Sequence, residues 1–230
     1  DCLGDRAAGL TAISPSVPAH EVAEAQEIAR LIGARHILLE TSETEDERYL
    51  ANTPDRCYVC KRRICTALTG FATANGFAHV ADGSNADDAH DFRPGQRATR
   101  EFGLRRPLQE AGLSKAEIRS LARSLGLANW NKPSAACLSS RLPYGDPITP
   151  EKLGQIERAE AAVREQGFAQ VRVRHHGAVA RLEVPSEDLG RALDRRDAIV
   201  AAVRACGFQY VALDLAGFRS GSMNEVLGET

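Results

Sequence analysis

An excess of either charge is what this sequence lacks: 29 lysines and arginines stand against 31 aspartates and glutamates, a net charge of -2. A chain this close to neutrality presents no global electrostatic case for nucleic acid. No apolar run approaches membrane-spanning length, and nothing at the start resembles a signal peptide, so neither membrane insertion nor secretion is expected. Internal repeats and low-complexity segments are missing too. A second CxxC or a spaced histidine pair is also lacking, which leaves zinc without the second half of a four-ligand site.

What is present suits a soluble globular protein of one large domain or two small ones. The 230 residues are 43% apolar and 26% charged, enough to bury a real core. The six cysteines (Cys2, Cys57, Cys60, Cys65, Cys137 and Cys206) are unevenly spread over a chain too large to need disulfide stapling. Thiols kept for metal or chemistry in a reducing cytoplasm are the expectation.

The chain opens on an apolar stretch at 7–13 that reads as a buried strand, followed by helical periodicity over 19–33 and a second strand over 35–40. Strand, helix, strand at this spacing predicts a βαβ unit and a parallel sheet covered by helices. A helix is expected over 61–75, with Cys57 and Cys60 just ahead of it and Cys65 on its core face, and a third strand over 77–81. Ser114 with Glu117 forms a capping-box pattern for a helix over 115–125. After Gly145 the composition shifts. Thr149-Pro150 starts a helix to about residue 166, and strands over 170–173 and 178–184, a helix over 187–206 and a strand over 209–213 follow. This αββαβ order lacks the βαβ repeat, so the chain is expected to divide into an α/β domain over 1–145 and a small α+β domain over 146–230.

Three stretches carry chemistry. Residues 132–145 (KPSAACLSSRLPYG) set Cys137 among small residues between prolines, with Arg141 nearby, the pattern of an irregular loop presenting one thiol beside a cation. A buried structural cysteine is the ordinary alternative. Residues 82–88 (DGSNADD) follow the expected third strand, where parallel sheets place ligands. Gly83 permits close approach, Ser84 and Asn85 can hydrogen-bond, and Asp87 with Asp88 can hold hydrated Mg²⁺. A capped turn uses the same residues. Arg93 and Arg97 are available to anions. Cys57 and Cys60 form a CxxC, open to a zinc half-site, a redox pair or, with Cys137, a three-thiolate iron-sulfur site that leaves one iron free for a further ligand.

The segments PDRCYVCK, ADGSNADD, FRPGQR, KPSAACLSSRLPYG, VRVRHHG, RLEVP and LDLAGFRSGSMNEVL, in that order over essentially the whole chain, resemble the LarE family. These are ATP-dependent sulfur transferases of the PP-loop superfamily, with a Rossmann-like adenine-nucleotide domain, that mature the nickel-pincer nucleotide cofactor of lactate racemase. The resemblance implies adenylation of a carboxylate of pyridinium-3,5-biscarboxylic acid mononucleotide, then displacement of AMP by sulfur. In one kind of member a cysteine at the position of Cys137 gives up its sulfur. In another, cysteines at the positions of Cys57, Cys60 and Cys137 hold a 4Fe-4S cluster that delivers sulfide. ATP and Mg²⁺ are the other implied cofactors, with Asp82, Gly83, Ser84, Asn85, Asp87, Asp88 and Ser140 toward the nucleotide. Arg141, Arg172, Arg174 and Arg219 resemble arginines near phosphate. Glu160 and Glu183 resemble acidic residues gathered at a metal, with surface charge the alternative. A cytoplasmic homo-oligomer, trimer or hexamer, acting on a small nucleotide is implied.

The Ser-Gly-Gly-x-Asp-Ser phosphate loop of PP-loop enzymes has no counterpart here. An initial βα unit of roughly 30 residues is therefore expected to be missing, by truncation rather than degeneration. A nonenzymatic nucleotide- or cluster-binding remnant stays open as the alternative, as does another PP-loop enzyme, amidotransferase-like or tRNA-thiolating.

Overall fold

The computed structural model describes residues 3–90, 94–133 and 135–219. Arg93, Ser134 and the terminal motif from Ser220 onward lie outside the described residues. The chain divides into two units. One takes the residues up to Ser14, Ala19–Tyr49 and Pro54–Ala135; the other takes Pro15–Pro18, Leu50–Thr53 and everything from Ala136.

In the first unit, strand β1 (Gly9–Ile13) leads through helix α1 (Ala19–Leu31) to β2 (His36–Glu40). The two strands pair in parallel, Gly9 opposite His36 and Ile13 opposite Glu40, which is the expected βαβ arrangement. Gly33, at φ +65°, makes the left-handed turn that ends α1 without a Cβ clash. The short helix α2 (Glu47–Leu50) precedes α3 (Arg56–Ala74), which is longer than expected: both Cys57 and Cys60 lie inside it. Helices α4 (Gly95–Glu101), α5 (Pro107–Glu110) and α6 (Lys115–Ser124) follow, and the capping box of Ser114 and Glu117 is formed.

The strand expected over 77–81 reduces to a single parallel bridge between Ala81 and Arg105. The cause is its partner's length. Gly103 (φ +65°) closes α4 on one side and Pro107 opens α5 on the other, leaving no room for a ladder.

In the second unit, α7 (Pro150–Glu165) is capped by the Thr149 side chain and carries proline in its first turn, as its sequence requires. Strands β3 (Arg172–His176) and β4 (Val179–Glu183) form an antiparallel hairpin, and β5 (Tyr210–Leu213) joins β4 in parallel. Arg174 to His176 belong to β3, so the hairpin turns at Gly177 (φ +62°) rather than across these residues. The helix expected over 187–206 is broken into α8 (Leu189–Asp194) and α9 (Arg196–Ala205) at Arg195. Val163, Phe168, Val173, Ala180 and Val203 are fully buried between the helices and the sheet, each of the larger ones contributing about 1.5–3 kcal/mol. Among the described residues, no helix is long and apolar enough to cross a membrane.

Candidate functional site

The cysteine loop belongs to the second unit from Ala136 onward, ten residues earlier than the change in composition suggests. Cys137 stands at the head of a 3₁₀ turn, Leu138–Arg141. Leu138 and Leu142 are fully buried and anchor the turn, while Cys137 and Ser140 stay half-exposed. Cys137 is a free thiol.

Arg141, the cation expected beside the thiol, is buried and shapes the loop from within. Its Nη1 donates to the carbonyls of Ala136 (2.8 Å) and Cys137 (3.1 Å) and to Ser140 Oγ (3.0 Å). Its other face grips Glu160, with Nε 2.8 Å from Oε1 and Nη2 3.1 Å from Oε2. Glu160, on α7, also accepts from Arg164 Nη2 (2.9 Å) and the Val173 amide (3.0 Å). A second buried pair lies on the sheet: Arg174 donates to both oxygens of Glu183 at 2.9 and 2.7 Å, and Arg181 adds Nη1 at 3.3 Å. Both oxygens of each glutamate are thus engaged by donors, and a divalent cation would have to displace guanidinium. Among the described residues no three His, Cys, Asp or Glu side chains gather as a metal site.

Arg172 differs from these arginines. It begins β3, paired through its backbone with Glu183 of β4; its guanidinium lies 4.4 Å from the Phe218 ring and makes no hydrogen bond or ion pair with the described residues. Burial, with the positive charge of Arg141 and Arg174 added, brings its guanidinium down to about 10. A half-buried cation beside two others, with Glu183 and Glu160 acting on it only at a distance while they bind Arg174 and Arg141, is what an anion would satisfy. Arg219, a few residues past β5, is half-buried.

In the first unit Cys57 is exposed and Cys60 half-exposed; spaced i, i+3 on α3, they share one helical face. This suits a half-site for a cluster or metal. Between them Tyr58 ties α3 to α4, its hydroxyl donating to Glu101 Oε2 (2.9 Å) and its ring lying 3.5 Å from the Arg97 guanidinium. Arg97, expected to be open to anions, is therefore occupied with Tyr58 and Glu101. Cys65 is wholly buried, as its place on the apolar face requires, and burial raises its thiol pKa.

The DGSNADD stretch folds as nested turns. Asp82 accepts from the Ser84 amide (3.0 Å), Asn85 from that of Asp87 (3.0 Å), Asp88 from that of Asn85 (2.9 Å), and Asp87 from that of Lys115 (2.9 Å). These bonds favour the capped-turn alternative for the acidic pair. Gly83 faces open space, with nothing within 4 Å of where a Cβ would sit.

Sequence reasoning missed Asn52. It is fully buried, sits at φ +53°, and bonds the far end of the cysteine loop. The available signal was an asparagine before Thr-Pro, a residue that tolerates the left-handed region.

No family model matches the chain. An uncharacterized protein of Synechocystis sp. is 44% identical over 229 residues, covering 99% of this chain and 85% of that protein. The pyridinium-3,5-bisthiocarboxylic acid mononucleotide synthase of Lactiplantibacillus plantarum is 40% identical over 228 residues, covering 99% of this chain and 83% of the synthase. The chain belongs to this LarE synthase family. It is accordingly an enzyme. A more distant relative, an uncharacterized protein of Methanocaldococcus jannaschii, is 29% identical over 190 residues, 83% of this chain and 74% of its own length.

Proposed function

We propose that this LarE-family chain transfers sulfur to a carboxylate of a pyridinium mononucleotide, the precursor of the nickel-pincer cofactor, through an acyl adenylate made with ATP. The observation that carries the reading is Cys137: a half-exposed thiol on a turn made rigid by Arg141, in the same unit as Arg172, whose guanidinium stacks on Phe218 and forms no ion pair with the described residues. The relative's name supplies the substrate class, a mononucleotide carrying thiocarboxylates.

Carboxylate carbon is a poor electrophile because its oxygens leave badly; transfer of AMP from ATP, with loss of pyrophosphate, supplies a leaving group. The Cys137 thiolate then attacks the activated carbonyl and AMP departs, giving a thioester. Removal of the Cys137 α-proton breaks its Cβ–Sγ bond, leaving dehydroalanine in the chain and the thiocarboxylate on the nucleotide. Arg172 holds the nucleotide phosphate, while Arg141 and Arg174 keep the loop carbonyls turned inward so that the thiol stays presented. Ala135, Ala136, Ser139 and Ser140 leave room for a bulky adenylate. We assign Glu160 and Glu183 the holding of these arginines. Asp82 to Asp88 and Arg219 are proposed toward the nucleotides, and Mg²⁺ would accompany ATP.

The second reading rests on the helical face shared by Cys57 and Cys60. With Cys137 they would hold a 4Fe-4S cluster, which supplies a bound sulfide in place of the cysteine's own sulfur.

Mass spectrometry after incubation with the preformed acyl adenylate of the dicarboxylate nucleotide, which bypasses the phosphate loop the chain lacks, tests both. Thiocarboxylate product with Cys137 lighter by hydrogen sulfide supports the sacrificial route; product with Cys137 intact supports the cluster. Product formed at wild-type rate by Cys137→Ser would remove Cys137 from either.

A further inference from the structure

We infer that Asn52 is a positioning residue for the Cys137 loop, setting the reactivity of a thiol it does not touch. The role in sulfur transfer rests on the reading above.

The loop is fastened at two points by pieces of chain far from it in sequence. The Leu138 amide donates to the Ser16 carbonyl at 2.8 Å, immediately after Cys137. At the far end the Asn52 side-chain amide donates to the carbonyls of Pro143 (2.7 Å) and Asp146 (2.8 Å). The Asn52 carbonyl accepts from the Gly145 amide at 3.0 Å, and Leu50 accepts from Ile148 at 2.9 Å. Both amide protons of Asn52 are therefore spent on one turn. The residue is fully buried and holds φ +53°, a region that costs most side chains about 1 kcal/mol or more.

Only asparagine meets both demands at low cost. Glycine would accept the backbone angle but supply no donors. Aspartate would keep the shape but set carboxylate oxygens against two carbonyls. Alanine would fail on both counts. The segment between the two fastenings is short: Leu138 and Leu142 are buried, and Arg174 binds the Ser140 carbonyl within it. A turn released at Pro143 to Asp146 is two residues from the 3₁₀ turn Leu138–Arg141, so its relaxation is passed to the turn that Cys137 heads.

The experiment alkylates the full chain with iodoacetamide and reads each cysteine by mass spectrometry, for wild type, Asn52→Gly and Asn52→Asp. Cys57 and Cys60 serve as exposed references, and Cys65 reports global opening. Losing two buried hydrogen bonds should change the Cys137 rate by about tenfold, with the reference rates within twofold of wild type. The single-turnover rate of thiocarboxylate formation should fall in the same variants, with the nucleotide concentration that gives half the maximal rate nearly constant. A Cys137 rate within twofold of wild type in both variants overturns the proposal. So does acceleration of Cys65 in step with Cys137, which marks Asn52 as a folding residue only. A wild-type chain that makes no thiocarboxylate from the preformed acyl adenylate would instead overturn the sulfur-transfer reading, and the alkylation comparison would still decide the role of Asn52.

Discussion

Arg174 Nη1 donates to the Ser140 carbonyl at 2.7 Å, while the same guanidinium is held on both edges by Glu183. Strand β3 thereby grips the cysteine turn through a side chain that is only 1% exposed. Arg181, which also binds Asp214 on the stretch after β5, steadies Glu183 in turn. The turn is thus fixed by buried charge, and its stability is open to measurement.

Removing a carboxylate from this network should leave buried guanidinium uncompensated. Glu160→Ala is expected to cost about 3–5 kcal/mol in urea unfolding, because Arg141 and the Val173 amide lose their acceptor together. A loss below about 1 kcal/mol would show that the pair is weakly built.

Arg172→Gln should act on binding rather than folding. Its guanidinium makes no direct ion pair with the described residues, Glu183 and Glu160 acting on it only at a distance, and Gln keeps part of the stacking on Phe218. Affinity for the mononucleotide, measured by calorimetric titration, should fall about 10- to 100-fold with little change in Tm. Equal affinity in the two proteins would remove Arg172 from the phosphate site.

Acid should loosen the second unit through His175. Burial, then the charge of Lys152, lowers its pKa below 6.5, against an opposing pull from Asp146. The ring packs edge-on to Phe208, and its Nε2 lies 3.3 Å from the Gln155 amide oxygen. Because the folded pKa is depressed, the unfolded chain binds the proton first, and stability falls as pH drops below about 6.5 until the folded pKa is passed. Urea midpoints at pH 7.5 and 5.0 should diverge less in His175→Gln than in wild type. Identical divergence would place the acid sensitivity elsewhere.

Anaerobic reconstitution with iron and sulfide should yield an oxygen-sensitive visible absorption that disappears in Cys57→Ala, Cys60→Ala and Cys137→Ala. Cys65→Ala should keep it, since that thiol is sealed in the core. An unchanged spectrum in Cys137→Ala would sink the three-thiolate cluster.

Features set by neighbours in sequence were legible in advance. The Ser114 capping box, the Thr149-Pro150 helix start and the buried Cys65 each follow from residues within one turn. The start of α3 differs from the expected one: it begins at Arg56, ahead of both cysteines and directly after Pro54-Asp55. The single bridge at Ala81 could not be foreseen, since its length is set by Gly103 and Pro107 on another segment. At the site, Cys137, Arg141 and Arg172 were named from the sequence, but not their partners. Nothing local to Asn52 reveals that its amide meets carbonyls 91 and 94 residues away.

The two short excursions, Pro15–Pro18 and Leu50–Thr53, carry a consequence for biosynthesis. Both leave the ribosome well before Ala136, yet their hydrogen bonds are to Leu138, Gly145 and Ile148. These bonds can form only once the downstream half is translated. The cysteine turn is therefore among the last elements to lock, and a C-terminal piece begun at Ala136 lacks both of its upstream fastenings. Co-expression of that piece with the upstream residues 1–135, which carry both fastenings, should restore a protease-resistant turn that neither half forms alone.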